Sequence, residues 1–175
     1  MALFHTRTSA ASRARRLCLL AGLAAWGSVG AAYYAQHVLQ MLPCPWCILQ
    51  RILFLVVGAG LIGLAAVPDA REGLAALGRR VLVVLTGGFA LAGMAAALYQ
   101  NRVAAKSPSC DLTLADRVIS GLGLDAQWPE LFEVRASCAD AAVDLFGVPF
   151  ELWSLALFVA LALVAARRWT ARPPA

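Results

Sequence analysis

The stretch "PCPWCILQR" covers residues 43–51 and places two cysteines, Cys44 and Cys47, at the start of a long apolar run. Pro43 and Pro45 cannot continue a helix from upstream, but proline suits the first turn of a helix that begins there. Free backbone N–H groups and the positive end of the helix dipole stabilise a thiolate at such a position. The sequence therefore predicts a helix that starts close to these cysteines and carries a reactive thiol pair with a lowered pKa at its N-terminus.

A permanent cation accompanies this thiol pair. Arg51 follows Cys47 by four residues, so both side chains share one helix face, roughly 6 Å apart along the axis. The guanidinium can be a membrane anchor whose head reaches back to the interface. It can instead stabilise negative charge on a carbonyl oxygen of a bound electron acceptor, and we favour this second interpretation. Trp46, between the cysteines, either stacks on a flat ligand or is an ordinary interfacial tryptophan.

The composition indicates a membrane protein. Of the 175 residues 61% are hydrophobic, and the mean hydropathy is +0.73, which exceeds what is typical of soluble domains. Four stretches approach the roughly 20 apolar residues that cross a bilayer. We therefore predict an all-α bundle of four transmembrane helices, forming one domain over residues 1–175, with spans at about 17–34, 48–67, 81–99 and 148–166.

The basic residues predict the orientation of this bundle. Ten of the fifteen lie before the first span, between the second and third, or after the fourth. Because cationic flanks stay on the cytoplasmic side, both termini are expected in the cytoplasm. The connections at about 35–47 and 100–147 then face the outer side of the membrane. The net charge of +5 is thus a sign of topology rather than of nucleic-acid binding.

Five cysteines are present, and this topology sorts them. Cys44, Cys47, Cys110 and Cys138 belong to the outer side, where disulfides persist, and we expect the pairs Cys110–Cys138 and Cys44–Cys47. Cys18 lies near the cytoplasmic end of the first span, and we interpret it as a small buried hydrophobic residue. A metal site is not expected, because no second Cys-x-x-Cys or histidine pair accompanies the first.

The connection at residues 100–147 is too long to be a simple link, so a function is expected for it. Apolar and charged residues alternate in it between Leu112 and Leu122. This pattern predicts a short amphipathic segment on the membrane surface. The connection either lets Cys110 and Cys138 move between a partner and the membrane thiols, or it is a lid over the bundle.

A glycine motif in the second span is not taken as a cofactor site. Gly58, Gly60 and Gly63 have the spacing of a dinucleotide-binding fingerprint. The fingerprint requires a preceding strand, whereas these glycines lie inside a predicted membrane helix. Small residues there allow close helix packing.

Taken together, these motifs resemble the disulfide bond formation protein B (DsbB) family of bacterial inner-membrane thiol oxidases. The resemblance covers nearly the whole chain. In the vitamin K epoxide reductase-like proteins the loop cysteines precede the membrane Cys-x-x-Cys, whereas here they follow it. The matching residues are Pro43-Cys44-x-x-Cys47 with Arg51, Pro108-Ser109-Cys110, Cys138-Ala139, and Phe146-Gly147 leading to Trp153.

The resemblance implies a multi-pass protein of the bacterial inner membrane that sustains disulfide formation in the periplasm. A reduced thioredoxin-like oxidant, DsbA, is expected to attack Cys110 and to reduce the Cys110–Cys138 pair. The electrons are expected to pass to Cys44–Cys47 and then to a membrane quinone, ubiquinone or menaquinone. Cys47 and Arg51 are the residues expected at the quinone, which feeds electron transport.

Two positions depart from the family pattern. The family usually has tryptophan where this chain has Val143, and proline two residues before the tryptophan of the final span, whereas here Pro149 stands four residues before Trp153. These departures put in doubt how the outer connection packs against the fourth helix. The alternative function is a membrane scaffold, stapled by two disulfides and without redox turnover.

Overall fold

The computed structural model describes residues 2–68, 72–106 and 113–170, with side chains between residues 12 and 169 of these ranges. Cys110 and Leu112 lie outside the described residues. The predicted Cys110–Cys138 disulfide therefore stays a prediction, as does the role of Cys110.

Four long helices form the molecule: α1 (Ala2–Val38), α2 (Pro45–Ala66), α3 (Gly73–Arg102) and α7 (Phe150–Thr170). All four are long and apolar enough to cross a bilayer. The predicted four-helix membrane bundle is confirmed. Each predicted span overlaps one of these helices, and every helix extends beyond the predicted limits at one end or both. The fourth helix starts two residues later than predicted.

Short elements fill the connection between α3 and α7. They are a 3₁₀ turn (Ala104–Lys106), the helices α4 (Leu114–Leu122), α5 (Leu124–Gln127) and α6 (Pro129–Phe132), and the strands β1 (Asp144–Leu145) and β2 (Val148–Pro149). The two strands pair antiparallel as one hairpin. The sequence analysis predicted α4 but not α5, α6 or the hairpin.

Helix α4 is the predicted amphipathic segment. Thr113 and Asp116 form a capping box at its N-terminus, and Gly123, with φ of 63°, ends it. Such caps satisfy the N–H and C=O groups that a short helix leaves unpaired. The buried side chain of Ile119 packs in one cluster with Ile48 of α2, so α4 is held against the bundle.

Close contacts between small and aromatic residues hold the long helices together. A Cβ atom on Gly58 would lie 2.5 Å from Cδ1 of Trp26 and 3.0 Å from the Gly22 carbonyl oxygen, so only glycine fits there. The rings of Phe54 and Phe158 stack with centroids 3.9 Å apart, which joins α2 to α7. The glycine motif of the second span therefore serves helix packing, as expected.

Arginines close the end of the bundle at which α2 terminates. Arg168 is fully buried and donates to the carbonyl oxygens of Leu64 (3.3 Å) and Val67 (3.2 Å). Arg15 of α1 donates to the Ala65 carbonyl at 2.8 Å. A helix C-terminus presents unpaired carbonyls and a partial negative charge. Arg15 of α1 and Arg168 of α7 donate to these carbonyls and bring positive charge to this end of α2.

Replacing Arg168 with methionine should lower the stability of the bundle. The substitution keeps much of the side-chain volume but leaves one buried and one partly buried carbonyl without their charged donor, at a cost of about 2–3 kcal/mol. Thermal unfolding in detergent micelles measures the loss. Arg16→Met, at an exposed position, is the matched control. Equal melting temperatures for the two variants would contradict the proposed stabilising role of Arg168.

Candidate active site

Three sulfur atoms meet at the end of the bundle where α1 and α3 finish and α2 and α7 begin, which we call the thiol end. Cys44 is the N-cap of α2, and Pro45 occupies its first turn, as the sequence predicts. The Cys44 Sγ lies 3.1 Å from the Cys47 Sγ and 2.6 Å from the Cys138 Sγ. Cys44, Cys47 and Cys138 are free thiols. The predicted Cys44–Cys47 pair is thus in contact without a bond, and its disulfide form stays a prediction.

The long connection brings Cys138 to this position. The backbone N–H of Arg135 donates to the Pro43 carbonyl at 3.0 Å, and the N–H of Ala141 closes a turn on Ser137 at 3.0 Å. The bond to Pro43 ties the long connection to the short one just before Cys44. As a result Cys138 is buried, with 8% of its surface exposed, although it belongs to a loop.

The pKa of the Cys44 thiol differs from the lowering that the sequence analysis predicts. Its pKa is raised, first by the hydrogen bond with the Cys138 thiol, then by that with Cys47 and by burial. The two neighbouring thiols and the burial of Cys44 outweigh the helix N-terminus here. The predicted lowering of the thiol pKa is therefore wrong for Cys44 in the arrangement with three free thiols.

A cavity of about 330 Å³ opens beside Cys47 and Arg51. Its volume falls within the range of roughly 300–1,000 Å³ that is typical of small-molecule sites. Most of its wall is apolar, with Phe54 and Leu157 among the contributors from α2 and α7. Cys44 is not part of the wall. The polar side chains of the wall, besides Cys47 and Arg51, are Ser28, Tyr34, Gln50, Gln100, Glu151, Trp153 and Ser154.

Arg51 is buried, with 6% of its surface exposed. Its Nη1 donates to the Gln36 side-chain oxygen at 2.7 Å and to the Leu131 carbonyl at 2.9 Å, and its Nη2 to the Ala32 carbonyl at 3.4 Å. Arginine has five N–H donors, so further N–H groups remain for an acceptor in the cavity. Because its head stays inside the bundle, Arg51 is not a snorkelling anchor in this structure.

Several polar residues of the site were missed by the sequence analysis. Gln50 donates to the Gln100 side-chain oxygen at 2.6 Å, and Gln100 donates to the Cys47 Sγ at 3.2 Å. Glu151, 5% exposed, accepts from the Asn101 amide at 3.0 Å. The signal was present in the sequence, since polar side chains inside membrane spans are costly and mark functional sites.

Other residues that the sequence analysis considered lie as follows. Trp46 packs against Tyr99 with ring centroids 4.6 Å apart and is not in the cavity wall. The His37 Nε2 lies 3.6 Å from the Glu130 carboxylate, outside the cavity. Cys18 is buried in the core, as expected.

The structure also locates the two residues that depart from the family pattern. Val143 lines the cavity and accepts a backbone hydrogen bond from Phe150 at 3.0 Å. Pro149 pairs with Asp144 in the hairpin.

Within the described residues, no three His, Cys, Asp or Glu side chains could hold a metal ion. The absence of a metal stays a prediction.

The fold and the site define a multi-pass helical membrane protein with a cluster of thiols beside an apolar cavity. The family model described as "Disulfide bond formation protein DsbB" matches residues 14–167. The chain belongs to this family, which indicates a disulfide-forming oxidoreductase of the membrane.

Relatives of this chain agree with the family assignment. Disulfide bond formation protein B 1 of Pseudomonas putida is 31% identical over 91% of this chain and 92% of the relative. Disulfide bond formation protein B of Ralstonia nicotianae is 35% identical over 87% and 91%. That of Nitrosomonas eutropha is 31% identical over 89% and 94%.

Proposed function

We propose that this protein re-oxidises a periplasmic thioredoxin-like dithiol protein, DsbA, and passes the electrons through two cysteine pairs to a membrane quinone. The observation that carries the proposal is the line of sulfurs at the thiol end. Cys138 contacts Cys44, Cys44 contacts Cys47, and Cys47 lies in the wall of an apolar cavity. A path therefore leads from the outer connection to a place that a lipid-soluble acceptor can reach.

The proposed thiol chemistry uses the contacts of Cys44 with Cys138 and with Cys47. The partner's thiolate attacks Cys110 of a Cys110–Cys138 disulfide, which frees Cys138. The partner's second thiol then closes the partner's own disulfide and frees Cys110. The freed Cys138 attacks Cys44 of a Cys44–Cys47 disulfide, and Cys47 leaves as a thiolate. Attack of Cys110 on Cys138 restores the first disulfide. The partner's two electrons and two protons then reside on Cys44 and Cys47.

The cavity suits a quinone head group. Its apolar wall accepts a flat ring, while Arg51 offers N–H groups to a carbonyl oxygen and Gln100 orients the Cys47 sulfur. A quinone supplies the acceptor for two electrons and two protons as the Cys44–Cys47 disulfide re-forms. Arg51 brings a fixed positive charge to the position at which negative charge develops, which is an effective form of electrostatic stabilisation.

The proposed orientation places the thiol end at the periplasmic face of the inner membrane. Arg15 and Arg168 lie at the opposite end of the bundle, where the positive-inside rule puts the cytoplasm. Both termini are then cytoplasmic, and the long connection meets a periplasmic partner.

The test is an oxidation assay with the purified full-length protein in lipid nanodiscs. Reduced thioredoxin-like partner and a short-chain benzoquinone or naphthoquinone are mixed with it under anaerobic conditions. We expect one partner disulfide for each quinone reduced, measured by thiol titration and by quinone absorbance. A Cys44→Ser variant should be inactive. If the wild-type protein oxidises no partner with either quinone, the chain is a disulfide-stapled scaffold instead.

A further inference from the structure

The hairpin before α7 has a turn that its sequence does not favour. Leu145 pairs with Val148, so the turn consists of Phe146 and Gly147, with φ of 56° and 75°. A two-residue turn with positive φ at both positions favours asparagine, aspartate or glycine at the first. A bulky aromatic residue there is a true conformational outlier. Such outliers persist at sites where something else stabilises them.

Nothing within the described part of the chain covers the Phe146 ring. It is 89% exposed, the highest value among the exposed large hydrophobic side chains. Leu145 and Trp153 beside it are 39% and 47% exposed. Across the cavity, Leu39 and Leu42 of the other connection are 59% and 44% exposed. The rim of the cavity is thus apolar and open.

The hairpin is fixed along the membrane helix. The Trp153 indole N–H donates to the Leu145 carbonyl at 3.3 Å, and the Phe150 N–H donates to Val143. Leu145 lines the same cavity as Leu157, which lies about 10 Å along α7 from its first residue. The hairpin therefore lies beside the part of α7 that enters the bilayer.

We propose that the hairpin of residues 144–149 is a lipid-binding element, whose tip inserts the Phe146 ring into the outer interface of the bilayer. Phenylalanine is among the residues that elements at this interface bury at the boundary of headgroups and acyl chains. Burial of the ring in lipid stabilises a turn that water would not favour. A docking face for a protein partner is the competing interpretation, but the hairpin's continuity with a membrane-spanning helix favours lipid. The proposal does not depend on the quinone reaction.

Photo-cross-linking tests the proposal. Benzoylphenylalanine is placed at position 146, or at the exposed control position Asp140, in the full-length protein in phosphatidylcholine nanodiscs. Illumination and mass spectrometry should give phospholipid adducts at position 146 and few at position 140. Equal lipid labelling at both positions would overturn the proposal. So would transfer of the position-146 label from lipid to a reduced thioredoxin-like partner when that protein is added.

A second measurement examines the turn itself. Phe146→Asn supplies a residue that the turn favours but that does not enter lipid, whereas Phe146→Leu keeps an apolar side chain. Amide hydrogen exchange of the hairpin in nanodiscs should be about tenfold faster in the asparagine variant, the factor that corresponds to roughly 1.4 kcal/mol of lost lipid contact. The leucine variant should change less. Slower exchange in the asparagine variant would show that turn preference outweighs lipid contact and would overturn the proposal.

Discussion

Replacing Cys47 with serine should abolish oxidase turnover and leave a disulfide between Cys44 and Cys138. In the proposed mechanism the Cys44–Cys47 bond delivers electrons to the cavity. Since this bond cannot form without Cys47, we expect activity to fall by about three orders of magnitude or more. The Cys44 sulfur still lies 2.6 Å from that of Cys138. The Cys44 thiol can then attack Cys138 of a Cys110–Cys138 disulfide. The new Cys44–Cys138 bond joins the two outer connections, and Cys110 is freed. Peptide mapping after alkylation identifies this linkage.

Cys18→Ala is the matched control for this substitution. Cys18 is buried one turn after Arg15, towards the opposite end of the bundle, and its replacement should leave both turnover and the pattern of disulfides unchanged. If the Cys47→Ser protein kept substantial activity, electrons would leave by another sulfur. If Cys44 stayed a free thiol in that variant, the contact with Cys138 would not be a route of exchange.

The bundle could be predicted because its causes are local. Each span is a predominantly apolar run of about 20 residues, and Pro45 sets the beginning of α2. The hydrophobic pattern also predicted α4. The hairpin was missed because Phe146 is a poor residue for its turn, so turn preference gave no signal. Its two strands are stabilised by contacts with α7, notably the bond from Trp153 to Leu145.

The site was predictable only in part for a similar reason. The spacing of Cys47 and Arg51 fixes a shared helix face, and both do line the cavity. That Cys138 contacts Cys44 depends on a path of more than 90 residues between them, including the bond from Arg135 to Pro43. No local sequence pattern predicts a contact between residues so far apart in the chain. The raised pKa of Cys44 has the same origin, because its main cause is Cys138.

Replacing Arg51 with alanine should impair the quinone half of the proposed reaction far more than the thiol half. A charged hydrogen bond contributes about 1.5–3 kcal/mol, so loss of the guanidinium should raise the KM for a short-chain quinone by about 10- to 100-fold. Formation of a mixed disulfide with the reduced partner, followed without quinone in a single turnover, should change less than about twofold. Stopped-flow absorbance and gel analysis measure the two halves separately.

Gln36→Leu tests whether the orientation of Arg51 matters, because this variant keeps the guanidinium but removes one of its hydrogen-bond acceptors. Gln36 accepts from the Arg51 Nη1 at 2.7 Å and is not in the cavity wall, so its loss should raise the KM for quinone in the same direction but by a smaller factor. Arg51 also holds the Leu131 carbonyl, and Leu131 lies in the connection that carries Cys138. An equal loss of both half-reactions in Arg51→Ala would therefore mean that Arg51 acts by holding this connection. Unchanged quinone affinity and turnover would leave Arg51 a structural residue, because an N–H donor that contacts the acceptor cannot be removed without effect.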